Sequence, residues 1–367
     1  MPPPGKAGSL EDRRLTFQEV MRMVSLPDQQ GPGGIIKRYM SQRAAWNVIS
    51  DVAFASNMSA FGGHVYCQAG LAASKAFSEK RAKLPSVSGR EFSIHTIHGY
   101  FSEAGLCDRP YIYEVTPVAE NLGFYNVLVT VRQPTVPSTN QAHDHFPLSD
   151  AELPLGPVCF SALVSFRPAT VSELSAQETP VQARFADVLN SRKPSEWDPS
   201  PPIDIASIVA VLPRDLVGTF PAVDIKKVDM TSYNKGKPLH ERRELLLYRL
   251  LAPLPDSDPD LHILVHAYEA DRNGLLMIVN HMGIGFNFGR AASLSYSFVV
   301  HVNPSDAVMK FGEDQWWVQE ACFPRVKAGR GIVMSKIWSP EGVHVATEYQ
   351  DGIVRPAPQP GDRKGKL

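Results

Sequence analysis

Several groupings of polar residues in this 367-residue chain could do chemistry. Asp271-Arg272-Asn273-Gly274 stands ahead of an apolar stretch from Leu275 to Met282. A carboxylate there can cap a helix or act as a general base, and the residue type alone allows both. Gly62 and Gly63 followed by His64 are the candidate substrate-binding residues; the ring could polarise a carbonyl or satisfy backbone groups at a helix start. His143-Asp144-His145 has the look of a metal fragment, but it lies in a Pro-rich loop without a third and fourth ligand nearby, so no metal is expected. On a strand, His262 and His266 would share a face about 13 Å apart, too far to hold one ion, and they read as structural. Gly283, Gly285 and Gly289 have the wrong spacing for a dinucleotide fingerprint and follow a helix, where that motif must follow a strand. No Gly-x-Ser-x-Gly elbow occurs, which disfavours a serine-nucleophile hydrolase. No cofactor is expected.

Bulk properties narrow the partners. Lys and Arg number 37 against 38 Asp and Glu, a net charge of -1, so no strong field draws in a nucleic-acid backbone. Hydrophobic residues make up 43%, as in an ordinary globular chain, and the length favours two compact units over one. No run approaches the roughly 20 apolar residues of a membrane span, and the N-terminal residues lack a signal-peptide core. Cys67, Cys107, Cys159 and Cys322 are widely separated and read as reduced, buried thiols. Gly365-Lys366-Leu367 resembles a peroxisomal address whose usual first residue is Ser. The expected location is the cytoplasm, with the peroxisome as the second reading, and a homo-oligomer is left open.

The elements that must position these groups occur twice. In the first half, Phe61-Gly62-Gly63 leads into a helix over His64 to Phe77 that is apolar nearly all round. Strand candidates follow at Phe92 to Phe101, Tyr111 to Val118, Phe124 to Arg132 and Val158 to Phe166. In the second half, the helix after Asp271 is followed by strands at Ser293 to His301, Trp316 to Phe323, Gly331 to Trp338 and Val343 to Gln350. Ala44 to Asp51, Leu245 to Leu251 and Leu261 to Tyr268 are read as strands ahead of the two helices. Trp316-Trp317 reads as core. A Pro- and Ser-rich linker spans about residues 167–202, partly helical around Val181 to Ser191, and Pro134 to Pro157 is a loop. The expected domains are 13–166 and 203–356, and the termini, 1–12 and 356–367, are expected to be disordered. A small-residue helix followed by long antiparallel strands, written twice, predicts an α+β double hotdog: two antiparallel sheets, each wrapped around a central helix.

Four motifs in this order resemble the acyl-CoA thioesterase II family, in which one chain carries two hotdog domains. They are Phe61 to Ala69, Ile94 to Phe101, Ala291 to His301 and Val345 to Arg355, and the resemblance runs from about Leu15 to Pro356. It implies that Asp271, Ser293 and Gln350 hold and activate the attacking water. Asp271 would orient and deprotonate it, while the Ser293 hydroxyl and Gln350 amide fix it by hydrogen bonds. Backbone N–H groups at a helix start would hold the oxyanion.

The chain also departs from the family pattern. Ser295-Tyr296 replaces an Asp-His pair, Glu103-Ala104 replaces an Arg-Pro pair, and Phe124 stands where another Arg is common. The resemblance implies hydrolysis of an acyl thioester substrate; the lost cations suggest that plain CoA esters are poor substrates and that the carrier differs. Two other readings compete. One is a biosynthetic double-hotdog enzyme doing dehydration, acyl transfer or cyclisation on a polyketide-like intermediate; the other is a non-catalytic acyl-binding protein, against which the three retained polar positions argue.

Overall fold

The computed structural model describes residues 14–46, 59–82, 91–121, 123–140, 145–211 and 218–357. His143, Asp144 and Gly365-Lys366-Leu367 lie outside the described residues. In the first half the elements are β1 (Met23–Gly31), β2 (Gly34–Ser41), α1 (Gly62–Arg81), β3 (Phe92–Phe101), β4 (Ile112–Glu120), β5 (Tyr125–Pro134) and β6 (Leu155–Pro168). The second half carries β7 (Val223–Lys227), β8 (Arg243–Leu250), α2 (Pro259–Ala270), α3 (Gly274–His281), β9 (Phe288–Val300), β10 (Trp317–Lys327), β11 (Arg330–Trp338) and β12 (His344–Pro356).

The twelve strands run in the order β1-β2-β4-β5-β6-β3-β9-β12-β11-β10-β8-β7, and a two-residue strand, Asp198–Pro199, extends the far edge. Read inward from each edge, the two halves have the same order, each strand matching the one six numbers later. They join through antiparallel pairing of β3 with β9, from Tyr100 opposite Ser295 to Thr96 opposite Val299. The fold is the double hotdog expected from the repeat.

Alternation sets the faces. Tyr125, Val127, Val129 and Val131 of β5 are buried, while Leu128 between them is exposed. The buried set packs on α1, whose Ala69, Gly70, Ala72, Ala73 and Ala76 are small enough to admit a close neighbour. That neighbour is α2, running antiparallel to α1: Gly63 lies by Asp271, Cys67 Sγ donates to the Leu264 carbonyl at 3.3 Å, and Ser74 Oγ donates to Asp260 at 2.5 Å. Asp260 also accepts from Ser93 Oγ at 2.5 Å and from the Ile94 N–H at 2.8 Å, which ties the start of α2 to both α1 and β3.

Several sequence expectations need correction. Leu261 to Tyr268 is helix, not strand: Pro259 at the first helical position and Asp260 in the first turn mark its start, but a fully buried apolar run gives no periodicity that separates helix from strand. His262 and His266 therefore sit one turn apart on a helix. Both are structural. His262 Nδ1 accepts from the Met309 N–H at 3.1 Å, and His266 lies between Tyr248 Oη (2.7 Å) and the Ala307 carbonyl (3.0 Å). Burial pushes the His266 pKa down to about 3, so the ring is neutral. Ala44 to Trp46, the described part of Ala44 to Asp51, is not strand; β1 and β2 upstream take that place, and β7 precedes β8. Pro356, expected in a disordered tail, ends β12. Leu155 to Pro157, read as loop, begins β6. In the expected linker, helical turns form at Val181–Arg184 and Ala186–Leu189, and Val181, Phe185 and Trp197 pack with Trp316 and Trp338.

The contact between the helices yields a test. A Cβ on Gly70 would stand 2.5 Å from Leu264 Cδ2 and 3.1 Å from Ile97 Cδ1, both on fully buried side chains. Gly70→Val is expected to lower the free energy of unfolding by about 1–3 kcal/mol in urea titrations. An unchanged midpoint would show that α1 and α2 can separate there without penalty.

Candidate active site

Asp271 does not open a helix, as the sequence suggests, but caps the end of α2. The chain then breaks at Asn273, held in the left-handed region at φ 59, and restarts as α3 from Gly274. This break turns the Asp271 carboxylate toward the N-terminus of α1 in the other half. The Gly63 N–H donates to it, and a Cβ at either Gly62 or Gly63 would lie 3.2 Å from Oδ2, so the two glycines clear a seat for the charge. The opening of α1 also presents the positive end of its dipole.

Gln350 on β12 joins the other two candidates. Its Nε2 donates to Asp271 Oδ1 at 2.5 Å and to Ser293 Oγ at 2.8 Å. An ionised Asp271 requires the amide nitrogen on that side, which fixes the orientation of the amide and leaves Oε1 buried without a protein partner. Ser293 faces Gly352 across the sheet, and the register slips between Ser293 and Ser295. Such a bulge re-aims the strand, here just where the hydroxyl must reach Gln350.

The three residues lie at one wall of a cavity of about 510 Å³. Gly62, Trp46, Phe61, Val65, Phe101 and Leu275 line it as well, giving a largely apolar interior with a polar corner. Burial pushes the Asp271 pKa up to about 7, against the lowering effect of the Gly63 N–H and Gln350. His64, expected beside substrate, does not line the cavity. Its ring is fully buried, 6.3 Å from that of Tyr111, and burial lowers its pKa to about 4. Among the described residues no group of His, Cys, Asp and Glu could hold a metal ion.

Two features escaped the sequence reading. Trp46, Phe61, Phe220 and Tyr268 form an aromatic cluster beside the cavity, drawn from positions too scattered to form a pattern. Arg272, inside the very motif singled out for Asp271, is buried with its guanidinium 4.8 Å from the Phe220 ring and donates to the carbonyls of Pro201 and Pro202. It thereby clamps the end of the linker to the site.

Residues 202–354 match the model of the acyl-CoA thioesterase C-terminal domain. Acyl-coenzyme A thioesterase 8 of Mus musculus is 24% identical over 319 residues, covering 83% of this chain and 82% of that protein; the Homo sapiens protein gives 24% with 83% of each. The second half of the chain thus carries the acyl-CoA thioesterase C-terminal domain, and the chain as a whole is similar to acyl-CoA thioesterases. Two solved structures share its fold. The acyl-CoA thioesterase II TesB2 of Mycobacterium marinum has a TM-score of 0.58 at 21% identity, covering 93% of this chain and 98% of that one. A tesB protein of Mycobacterium avium subsp. paratuberculosis has a TM-score of 0.56 at 19% identity, covering 95% and 100%.

Within this family pattern, the departures acquire positions. Tyr296, in place of a family His, is fully buried and donates from Oη to the Ala267 carbonyl at 2.9 Å, so it holds the last turn of α2 just before Asp271. Glu103 and Ala104 line the cavity, but Phe124 does not: it lies under Arg167 at 5.2 Å on the β4–β5 turn.

Asp271 gives a prediction about stability. An acid whose folded pKa is raised keeps its proton longer in the folded state than in the unfolded chain. Stability is therefore greatest below about pH 4 and falls as pH rises through about 7, by at most about 4 kcal/mol. Asp271→Asn removes that loss, since its Oδ1 can still accept from Gly63 and the Gln350 amide can turn. Thermal melts should show the variant more stable than the native protein at pH 8, with the gap narrowing as pH falls below 7 and closing only below about pH 4. A variant less stable at pH 8 would mean that the ionised carboxylate is itself a net stabiliser.

Proposed function

We propose that this protein hydrolyses acyl thioesters, with Asp271 as the general base and Gln350 and Ser293 as the groups that position the water. The observation that carries this reading is the amide bridge: Gln350 binds Asp271 and Ser293 with one nitrogen, in the wall of an apolar cavity. A thioester carbonyl is electrophilic enough for water if the water is oriented and loses a proton as it attacks. Asp271 takes that proton while the water oxygen bonds to the carbonyl carbon. The N–H of Gly62, in the first turn of α1 where donors lack intrahelical partners, stabilises the negative oxygen. The carbon–sulfur bond then breaks, the proton passes from Asp271 to the departing thiolate, and the acid and thiol leave. No cofactor enters these steps.

The substrate is an acyl thioester whose chain lies in the cavity against Phe61, Val65 and Phe101. No helix of the described residues is long and apolar enough to cross a membrane.

The pH dependence tests the role of Asp271. With a free-enzyme base near 7, kcat/KM for a short acyl thioester, followed by thiol release, should rise with pH and level off above about 8. Asp271→Asn should lose about 10²–10⁴-fold in kcat/KM, and Gln350→Ala should lower kcat more than it raises KM. A flat profile from pH 5 to 9, with the Asn variant still active, would remove Asp271 from the chemistry.

A further inference from the structure

The turn that follows Asp271 is fastened to the end of the linker between the two halves. Asn273 is buried and lies in the left-handed region at φ 59, two residues after the base. Its amide is committed at both ends: Nδ2 donates to the Pro201 carbonyl at 3.1 Å, and Oδ1 accepts from the Asp204 N–H at 3.1 Å. Arg272 adds bonds to the carbonyls of Pro201 and Pro202. The anchor itself is stiff. Proline fixes its own φ, the Ser200 N–H donates to the Ile225 carbonyl of β7 at 2.9 Å, and Asp204 pairs with Lys227. On the side of the site, the Gly274 N–H donates back to the Asp271 carbonyl at 3.2 Å, and a Cβ on Gly274 would stand 2.2 Å from Gln350 Oε1. A shift of Asn273 therefore moves the base and its amide partner together.

We propose that Asn273 is a positioning residue for the hydrolysis, holding Asp271 and Gln350 at bonding distance by tying their turn to the linker. The proposal rests on the thioester-hydrolase reading and makes the linker a working part of that active site. Asn adopts a left-handed φ more readily than most residues, so backbone conformation alone could account for its presence there. Glycine would then serve equally well. What glycine cannot replace is the pair of bonds to Pro201 and Asp204. The titratable groups around Asp271 are Cys67 and Tyr66 of α1, Tyr268 of α2, Tyr296 of β9 and Glu348 of β12; burial raises the pKa of each and favours its neutral form. Arg272 is turned to the linker carbonyls, and Glu103 and Arg290 share the cavity wall. The two donors that hold down the Asp271 pKa are the Gly63 N–H and the Gln350 amide, and both contacts depend on where the turn sits.

The test compares the full native chain with N273G and N273A, following kcat and KM for a short acyl thioester from pH 5 to 9. Both variants should lose about 10–10²-fold in kcat with KM unchanged, and the rise of kcat/KM should move to higher pH by about one unit as those donors weaken. Native turnover in N273G alongside a loss in N273A would overturn the proposal, since only the left-handed backbone would then matter. A rise in KM with kcat intact would also overturn it and assign the side chain to substrate binding. So would a loss of kcat with the pH limb unmoved. Thermal melts give a readout that needs no turnover: N273G compared with N273G/D271N locates the Asp271 titration from stability alone, and its midpoint should lie above that of the native pair. If it does while D271N itself keeps native turnover, the hold of the linker on Asp271 stands and the role of Asp271 in hydrolysis falls.

Discussion

Burying the Asp271 carboxylate is the constraint around which the centre of this molecule is arranged. Taking a charge out of water is expensive, and the protein meets that cost only in part: one backbone N–H, one side-chain amide and the positive end of α1. The balance leaves the group near the midpoint of its titration at neutral pH, a useful condition for a base that must accept a proton and return it. Glu269 and Glu348 are also buried, and burial pushes both far above the ordinary carboxylate range. Of these three acids, the one at the cavity wall is the one whose donors offset burial enough to leave its pKa near 7.

That constraint reaches the fold through the two helices. Asp271 belongs to the second half, and the N–H that meets it belongs to the first. The seat therefore depends on how closely α1 and α2 approach, which the glycine and alanines of α1 permit. Tyr296 braces the last turn of α2, and Arg272 pins the linker beside it. None of these contacts is local in sequence.

The distance between partners explains what could be read from the sequence. The strands after each central helix were legible because alternation and aromatic or β-branched residues write the sheet directly, and their twofold occurrence pointed to the duplication. Asp271, Ser293 and Gln350 could be singled out through motif resemblance, and the structure brings them together. Leu261 to Tyr268 was misread because a helix buried on nearly every side has no exposed polar face to mark its period. β1 and β2 were missed because Leu26-Pro27-Asp28-Gln29-Gln30 reads as turn, yet its place at the edge of the sheet tolerates proline and polar side chains. His64 was misplaced because adjacency to Gly63 in sequence says nothing about which side of α1 faces the cavity.

The antiparallel pairing of α1 and α2 has a further consequence. A duplicated fold of this kind offers two comparable helix openings, one at each end of the pair. At one end an acid from α2 faces the start of α1 and a cavity; at the other, Asp260 at the start of α2 is bound by two serines and a backbone N–H, with its oxygens already committed. The ancestral symmetry has thus been divided between a reactive pole and a fastened one. Sequence drift should be uneven as a result: the fastened pole can exchange its acid and serines together for any set that packs, whereas the reactive pole is held by a chemistry that no repacking replaces.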